Sequence, residues 1–298
     1  MVLLFMLACL SSSEKGGDLD NSFWETHTEE ETDSAIETDS ATDDDLVSDL
    51  CDDAYLLELD FSRVNSASIW RFDLETNDAT EVGSLSCDLQ ESNDYFMAMS
   101  ADSKGHLWLL SRQGWLFKVM PSNLYCQPTG FNVLQTGFQP EGLAFMREDP
   151  QSTDLLYISG RDVSTEQGRL AVHHNDQLTI VGDIPGVSGT GNNIIDLAGS
   201  ASGDLYGLRP SGSQTALFEV DSQTAERGEE WMLDVPAPMG WSFVLLFDNF
   251  WTFTSTDQST TQVHWFEPAT ESLIPLTTLS FQTVGAALPP CAPDSSGS

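Results

Sequence analysis

Five cysteines are the residues whose types and positions constrain the chemistry of this 298-residue chain most. Cys9 follows the apolar residues 1–7 and Ala8, a pattern typical of the core of a secretory signal peptide. In an exported chain the four remaining cysteines, an even number, are expected to form disulfides, with three pairings possible. Zinc binding is not indicated, because Cys-x-x-Cys is absent and the adjacent His173 and His174 would point to opposite faces of a strand.

The residues Met6-Leu7-Ala8-Cys9 resemble the lipobox of bacterial lipoproteins. The resemblance implies cleavage before Cys9, acylation of that cysteine and lasting membrane attachment through the acyl chains. Leu10, rather than Asp, follows the cysteine, which resembles the sorting pattern for an outer membrane or cell-surface location. The alternatives are a plain secretory peptide or a frayed start of the chain; residues 1–8 are the predicted signal peptide.

Negative charge is concentrated near the N-terminus. The chain has 47 Asp and Glu against 11 Lys and Arg, a formal net charge of −36, and residues 1–53 hold 16 of the acids and a single base, Lys15. This balance excludes nucleic acid as a partner, and the sequence has no apolar run of the ~20 residues that a membrane-spanning helix needs. Residues 9–53 are therefore predicted to be a lipidated cysteine and a disordered acidic tether with an r.m.s. span of roughly 35–40 Å.

Residues 54–291 contain five similar units about 50 residues apart. Each unit has a very apolar second strand, as expected for a strand packed on both faces, and a third strand that alternates apolar and polar residues. The second strands are predicted at 55–59, 106–110, 154–158, 204–208 and 249–253, and the third at 69–73, 116–119, 170–173, 217–221 and 263–267. This size and pattern predict an all-β fold of four-stranded blades.

First strands are predicted at 95–101, 142–147, 194–201 and 242–248, but none precedes Tyr55 in the first unit. The missing strand is found near the C-terminus, at 283–288. A terminal strand that completes the first blade closes a β-propeller and removes two exposed sheet edges. We therefore predict five blades, with six as the alternative, and a disordered tail at 292–298.

Ring closure also distinguishes the cysteine pairings. Cys51 opens the first blade and Cys291 follows the closing strand, so closure brings them together. Cys87 and Cys126 lie at the outer strands of adjacent units. The predicted disulfides are therefore Cys51–Cys291 and Cys87–Cys126.

The segments Ser100-Ala101-Asp102-Ser103-Lys104-Gly105-His106-Leu107-Trp108 and Ser200-Ala201-Ser202-Gly203-Asp204-Leu205-Tyr206 resemble the strand–turn–strand signature of NHL-, SMP-30- and lactonase-like propellers. With its tether, the chain is most similar to secreted bacterial lipoproteins that carry such a propeller.

The resemblance to SMP-30-like sugar lactonases implies a divalent ion, Ca²⁺ or Zn²⁺, held by Glu, Asp and Asn side chains where the inner strands begin. Here these would be Glu141, Asn192, Asn193 and Asp196. The closing strand departs from that family, since it has Val284-Gly285-Ala286 where the family has a Glu. The alternative places Glu141 in a loop and Asn192-Asn193 in a turn, with no catalytic set and no cofactor.

The positions entering the inner strands should line the central channel; they are 96–97, 140–141, 192–193, 240–241 and 283–284. Trp241 would then either stack on a sugar or peptide ring or pack between blades. We expect a monomeric, non-catalytic propeller that is tethered to a membrane and binds a protein or glycan. A metal-dependent hydrolase is the alternative.

Overall fold

The computed structural model describes residues 51–59, 67–89, 93–149, 151–188 and 194–291. Within these ranges the chain forms twenty β-strands and two short 3-10 helices, Val133–Thr136 and Pro268–Thr270. The predicted signal peptide, Cys9, the acidic segment up to residue 50 and the tail at 292–298 lie outside the described residues. No helix among the described residues is long and apolar enough to cross a membrane.

The strands form five four-stranded antiparallel sheets, so the prediction of a five-bladed β-propeller is confirmed. Blade 1 contains β1 (Asp53–Leu59), β2 (Ala67–Asp73), β3 (Ala79–Ser84) and β20 (Thr283–Ala287). Blade 2 contains β4 (Phe96–Ala101), β5 (Leu107–Ser111), β6 (Trp115–Val119) and β7 (Cys126–Asn132). Blade 3 contains β8 (Phe138–Met146), β9 (Leu155–Asp162), β10 (Gln167–His174) and β11 (Gln177–Ser188). Blade 4 contains β12 (Asp196–Gly199), β13 (Leu205–Ser211), β14 (Gln214–Val220) and β15 (Arg227–Leu233). Blade 5 contains β16 (Gly240–Leu246), β17 (Asn249–Ser255), β18 (Thr261–Glu267) and β19 (Ser272–Leu279).

The C-terminal strand closes the ring as predicted. Strand β20 pairs with β1 through Tyr55–Ala287, Leu56–Ala286 and Leu57–Gly285. The innermost strand of blade 1 therefore comes from the opposite end of the domain, and the first blade has no open inner edge.

Both predicted disulfides are present. Cys51 and Cys291 are bonded across 240 residues with their Cα atoms 6.0 Å apart, beside the β1–β20 pair. Cys87 and Cys126 join the segment after blade 1 to the outer strand of blade 2, with a Cα–Cα distance of 4.9 Å. Since disulfides persist in oxidising compartments, the pair indicates an exported protein.

The hydrophobic core consists of five clusters, one at each junction between neighbouring blades. The second strand of a blade contributes to two of them: Leu56 packs in the cluster shared with blade 5, and Leu57 in the cluster shared with blade 2. These strands therefore need apolar residues on both faces, which explains the pattern read from the sequence.

The bounds of the five inner strands all differ from the prediction, by one residue in β4 and β20 and by more in β8, β12 and β16, which was predicted at 242–248 and covers Gly240–Leu246. Strand β8 begins at Phe138, four residues before the predicted start at Gly142, and β12 covers only Asp196–Gly199. The interpretation that placed Glu141 in a loop is therefore wrong, because Glu141 lies within β8. Pro140, which has no backbone N–H to donate, is accommodated where the β8–β9 register shifts.

Candidate functional site

Register shifts in the pairing of three inner strands place three side chains at one end of the channel. The register shifts between Phe96 and Ala98, between Pro140 and Gly142, and opposite Leu57–Glu58, where Gly285 and Thr283 are the successive partners. The extra residues at these shifts are Met97, Glu141 and Val284. A β-bulge of this kind bends the strand and redirects the side chain of its extra residue.

These three residues line a pocket of about 180 Å³ at the mouth of the channel. Every blade contributes, since each inner strand begins here. The other lining residues are Leu59, Tyr95, Phe96, Ile194, Asp196, Met239, Gly240, Trp241 and Gln282. We call this the mouth pocket; most of its wall is apolar, with a few polar groups.

Glu141 is the polar group that the β8 bulge brings to the mouth pocket. It is only 8% exposed, and its Oε1 lies 3.7 Å from Arg161 Nε. Burial raises the pKa of Glu141 to about 7, although Arg161 and a hydrogen bond from the Ile195 N–H act in the opposite direction. Both protonation states are therefore populated at neutral pH, so the carboxyl group both donates and accepts hydrogen bonds.

Asp196 has a different role, because its oxygens are used within the protein. Ser242 Oγ donates to Asp196 Oδ2 at 2.5 Å, and the backbone N–H groups of Leu197 and Phe243 also bond the carboxyl group. Burial nevertheless raises the pKa of Asp196 to about 7. Ser242 Oγ in turn accepts from the N–H of Ala286 at 2.7 Å, so this network ties blades 4, 5 and 1 together.

Trp241 and Gln282 contribute polar atoms without partners. Trp241 is half-buried against the cluster between blades 4 and 5, and its Nε1 has no hydrogen-bond partner among the described residues. Gln282 is 5% exposed, and its Oε1 likewise has none. A buried donor or acceptor left unpaired costs ~1–3 kcal/mol. Both residues line the mouth pocket and both of these atoms are buried, so the wall of the pocket contains an unmatched donor and an unmatched acceptor.

Gly240 allows the close approach on which this arrangement depends. A Cβ at this position would lie 2.7 Å from Gln282 Nε2 and 3.0 Å from the Thr283 carbonyl oxygen. A larger residue would displace the Gln282 side chain and crowd the Thr283 carbonyl oxygen, so glycine suits the close packing of β16 against the start of β20.

The structure thus brings together Glu141, Asp196 and Trp241 of the residues singled out from the sequence. Asn192 and Asn193 lie outside the described residues. Gln282 was missed, although its position directly before the closing strand was a usable signal. The described residues contain no group of three or more His, Cys, Asp or Glu side chains arranged to hold a metal ion. Asp196 does not fit a metal ligand, because its oxygens already accept three hydrogen bonds.

No protein-family model and no curated protein matches this sequence. Among solved structures, the chain is similar to the Dos1 propeller at 12% identity and a TM-score of 0.37, over 72% of this chain and 56% of that one. It is also similar to the hydrazine synthase of Kuenenia stuttgartiensis (12% identity, TM-score 0.40, 61% of this chain and 49% of that one). A third is a putative 6-phosphogluconolactonase from Bacteroides fragilis (10% identity, TM-score 0.38, 74% and 67%). The chain spans about half the length of the first two, and the assignment as a propeller rests on its own five blades.

Proposed function

We propose that the protein is an exported, non-catalytic binding propeller that holds one residue of a glycan in the mouth pocket. The observation that carries the proposal is the pair of unpaired, buried atoms Trp241 Nε1 and Gln282 Oε1 in the wall of a pocket that the Trp241 and Tyr95 side chains line. The apolar face of a sugar ring packs on an aromatic side chain, while its hydroxyl groups act as both donors and acceptors. A sugar therefore matches an aromatic pocket that has an unmatched donor and an unmatched acceptor.

The size of the mouth pocket supports the same ligand class. At about 180 Å³ it is smaller than the ~300–1,000 Å³ typical of pockets for drug-sized ligands. A single terminal sugar suits this volume, with the rest of the glycan or a glycoprotein carrier outside. Glu141 then pairs with a hydroxyl group in either direction, since both of its protonation states are populated.

Isothermal titration of the full chain against a panel of monosaccharides and short glycans tests the proposal. We expect saturable binding that Trp241→Ala weakens at least tenfold, about the loss of one stacked ring and one hydrogen bond. Trp265→Ala, which truncates a half-buried indole on the third strand of blade 5, is the matched control and should bind like the unmodified chain. Equal losses in the two variants, or no binding across the panel, would overturn the proposal.

We further propose that Cys9 is acylated and that the acidic segment holds the propeller away from a membrane. The lipobox resemblance and the two disulfides of an exported protein support this placement. Labelled palmitate should be incorporated by the native chain and not by Cys9→Ser. Incorporation that survives the substitution would remove the lipid anchor from the account.

The alternative, a metal-dependent hydrolase, is favoured by one observation, the buried Glu141 with a pKa of about 7 beside Arg161. Such a carboxyl group is poised for general acid–base catalysis. Metal analysis of the purified protein separates the two functions. Stoichiometric Ca²⁺ or Zn²⁺ that is lost in Glu141→Gln would favour the enzyme, and metal-free protein that binds glycans would favour the binding propeller.

A further inference from the structure

A second concave site lies on the face of the ring opposite the mouth pocket. It is a groove of about 550 Å³ between blades 1 and 2. We call it the basic groove, and its polar lining consists of Tyr55, Arg71, Thr80, Lys104, His106 and Ser122. The mouth pocket lies where the inner strands begin, whereas Lys104 and His106 belong to the turn at the end of inner strand β4.

The groove has one wall on blade 1 and one on blade 2. Tyr55 pairs with Arg71 in the β1–β2 ladder, and Arg71 pairs with Thr80 in the β2–β3 ladder. Residues directly opposite one another in neighbouring strands share a face of the sheet, so these three side chains form a row. The turn carrying Lys104 and His106, together with residues 120–122, forms the other wall.

The charge of the groove is opposite to that of the whole protein. The chain has a formal net charge of −36, with 47 Asp and Glu against 11 Lys and Arg. None of the residues lining the groove is Asp or Glu, whereas Arg71, Lys104 and His106 all line it. The remaining polar groups are hydroxyls, which donate hydrogen bonds to an anion.

The turn that carries Lys104 and His106 is held in place by Asp102. Asp102 Oδ1 accepts hydrogen bonds from the backbone N–H groups of Lys104 (3.1 Å) and His106 (3.0 Å). His106 Nδ1 also lies 3.0 Å from Asp102 Oδ1, which directs the other ring nitrogen, Nε2, away from the carboxylate. Gly105 completes the turn with a positive φ of 76°, a conformation that suits glycine.

The Asp102 carboxylate is ionised, and its negative charge is balanced by the ammonium group of Lys118. Burial raises the pKa of Asp102, but hydrogen bonds from His106, Lys118 and Trp108 outweigh it and lower the pKa overall. Lys118 Nζ lies 3.1 Å from Asp102 Oδ2, and His106 Nδ1 lies 3.0 Å from Oδ1 and 3.1 Å from Oδ2. Lys104, by contrast, is exposed and has no ion-pair partner among the described residues.

Two acidic residues lie near Arg71 outside the groove lining. Asp53 Oδ2 is 3.6 Å from Arg71 Nη1. The positive charge of Arg71 also helps to lower the pKa of Asp73. The Arg71 side chain is 55% exposed and its contact with Asp53 is long, so the guanidinium keeps free N–H groups for a ligand.

We propose that the basic groove binds a small soluble anion carrying a phosphate or sulfate group. Arg71 and Lys104 would contact the anion from opposite walls, with the Tyr55, Thr80 and Ser122 hydroxyl groups completing its hydrogen bonds. The ligand must be small. A membrane or polyelectrolyte of negative charge meets the field of the whole acidic protein, whereas a small anion within the groove can contact Arg71 and Lys104 directly.

Titration of the ¹⁵N-labelled full chain with inorganic phosphate tests the proposal by chemical-shift mapping. We expect saturable, millimolar binding with the largest shifts at the amides of Lys104, Gly105 and His106. Arg71→Gln and Lys104→Gln should each weaken the affinity about tenfold, the loss of roughly one charge-assisted hydrogen bond.

Arg112→Gln is the matched control. It removes the same charge from an exposed side chain that lies over the Tyr95 ring, outside the groove, and it should bind phosphate like the unmodified chain. Circular dichroism and thermal unfolding show that each variant is folded.

Three results would overturn the proposal. They are the absence of saturable shifts with phosphate, an equal loss of phosphate affinity in Arg112→Gln, and binding to vesicles that contain phosphatidylglycerol by a chain that does not bind phosphate. The last result would identify the face as a lipid-binding surface instead.

Discussion

The same five inner strands form an open pocket at one end of the channel and an almost closed channel further along. The mouth pocket has a volume of about 180 Å³, whereas the space lined by Ser100, Phe145, Gly199 and Ala286 has about 10 Å³, room for about one water molecule. The difference arises from local pairing. Extra residues bend three strands at the mouth, while small residues bring the strands together beyond it.

Close approach beyond the mouth is visible at Gly142 and Gly199. A Cβ at Gly142 would lie 2.3 Å from the Ile195 carbonyl oxygen, and one at Gly199 would lie 2.4 Å from that of Phe145. The closed part therefore stabilises the ring and leaves binding to the ends. We accordingly expect substitutions in the closed part to change stability and those at the mouth to change ligand binding.

The largest expected effect concerns the disulfide that secures the closed ring. Replacing Cys51 and Cys291 by Ala should lower the free energy of unfolding by about 5 kcal/mol, because the 240-residue loop is no longer constrained in the unfolded chain. Replacing Cys87 and Cys126 by Ala releases a 39-residue loop and should lower the free energy of unfolding by about 4 kcal/mol. Urea unfolding measures both, and a smaller loss for the longer loop would contradict this account of closure.

The next largest effect is a pH dependence of the free energy of unfolding, which arises from Glu141 in the mouth pocket. Burial raises the pKa of Glu141 from 4.5 to about 7, so the folded protein keeps a proton that the unfolded chain has lost above pH 4.5. The contribution of Glu141 to the free energy of unfolding is therefore largest below pH 4.5 and is lost as the pH rises through about 7. The total loss is roughly 3 kcal/mol. Asp196 acts in the same direction, since burial raises its pKa to about 7 from 3.8.

Glu141→Gln tests this assignment. Urea unfolding between pH 4.5 and 8 should show a decline with rising pH that is smaller in Glu141→Gln than in the unmodified chain. The exposed Glu75→Gln is the matched control and should retain the full decline. The same slope in both variants would show that Glu141 is not the group responsible.

A smaller effect is expected in the network beside the mouth. Ser242→Ala leaves Asp196 Oδ2 and the Ala286 N–H without their partner and should cost about 2 kcal/mol. Ser213→Ala, at an exposed turn, should cost less than 0.5 kcal/mol, as is usual for surface substitutions. Equal costs would mean that the three-blade link does not stabilise the ring.

The blades and their closure were predictable because they depend on patterns within short segments. Strands with two apolar faces recur through the chain, and the strand missing before Tyr55 has its replacement at Thr283. The disulfide pairing followed from closure alone.

The mouth was less predictable, because a bulge depends on the register between two strands. The strand was predicted to begin at Gly142, yet β8 also includes Pro140 and the extra residue Glu141. The bond from Ser242 to Asp196 joins residues 46 positions apart in different blades, and no local pattern indicates it. Gln282, by contrast, could have been found, because it directly precedes the predicted closing strand and lines the mouth pocket.

Binding of a glycan in the mouth pocket through Trp241 can be followed by ¹⁹F NMR of the chain labelled with 5-fluorotryptophan. The chain has eight tryptophans, and the resonance missing in Trp241→Phe identifies that residue. On addition of the glycan with the highest affinity, we expect the Trp241 resonance to shift most and to saturate with the binding isotherm. An unchanged Trp241 resonance, while another tryptophan shifts with that isotherm, would contradict the proposal.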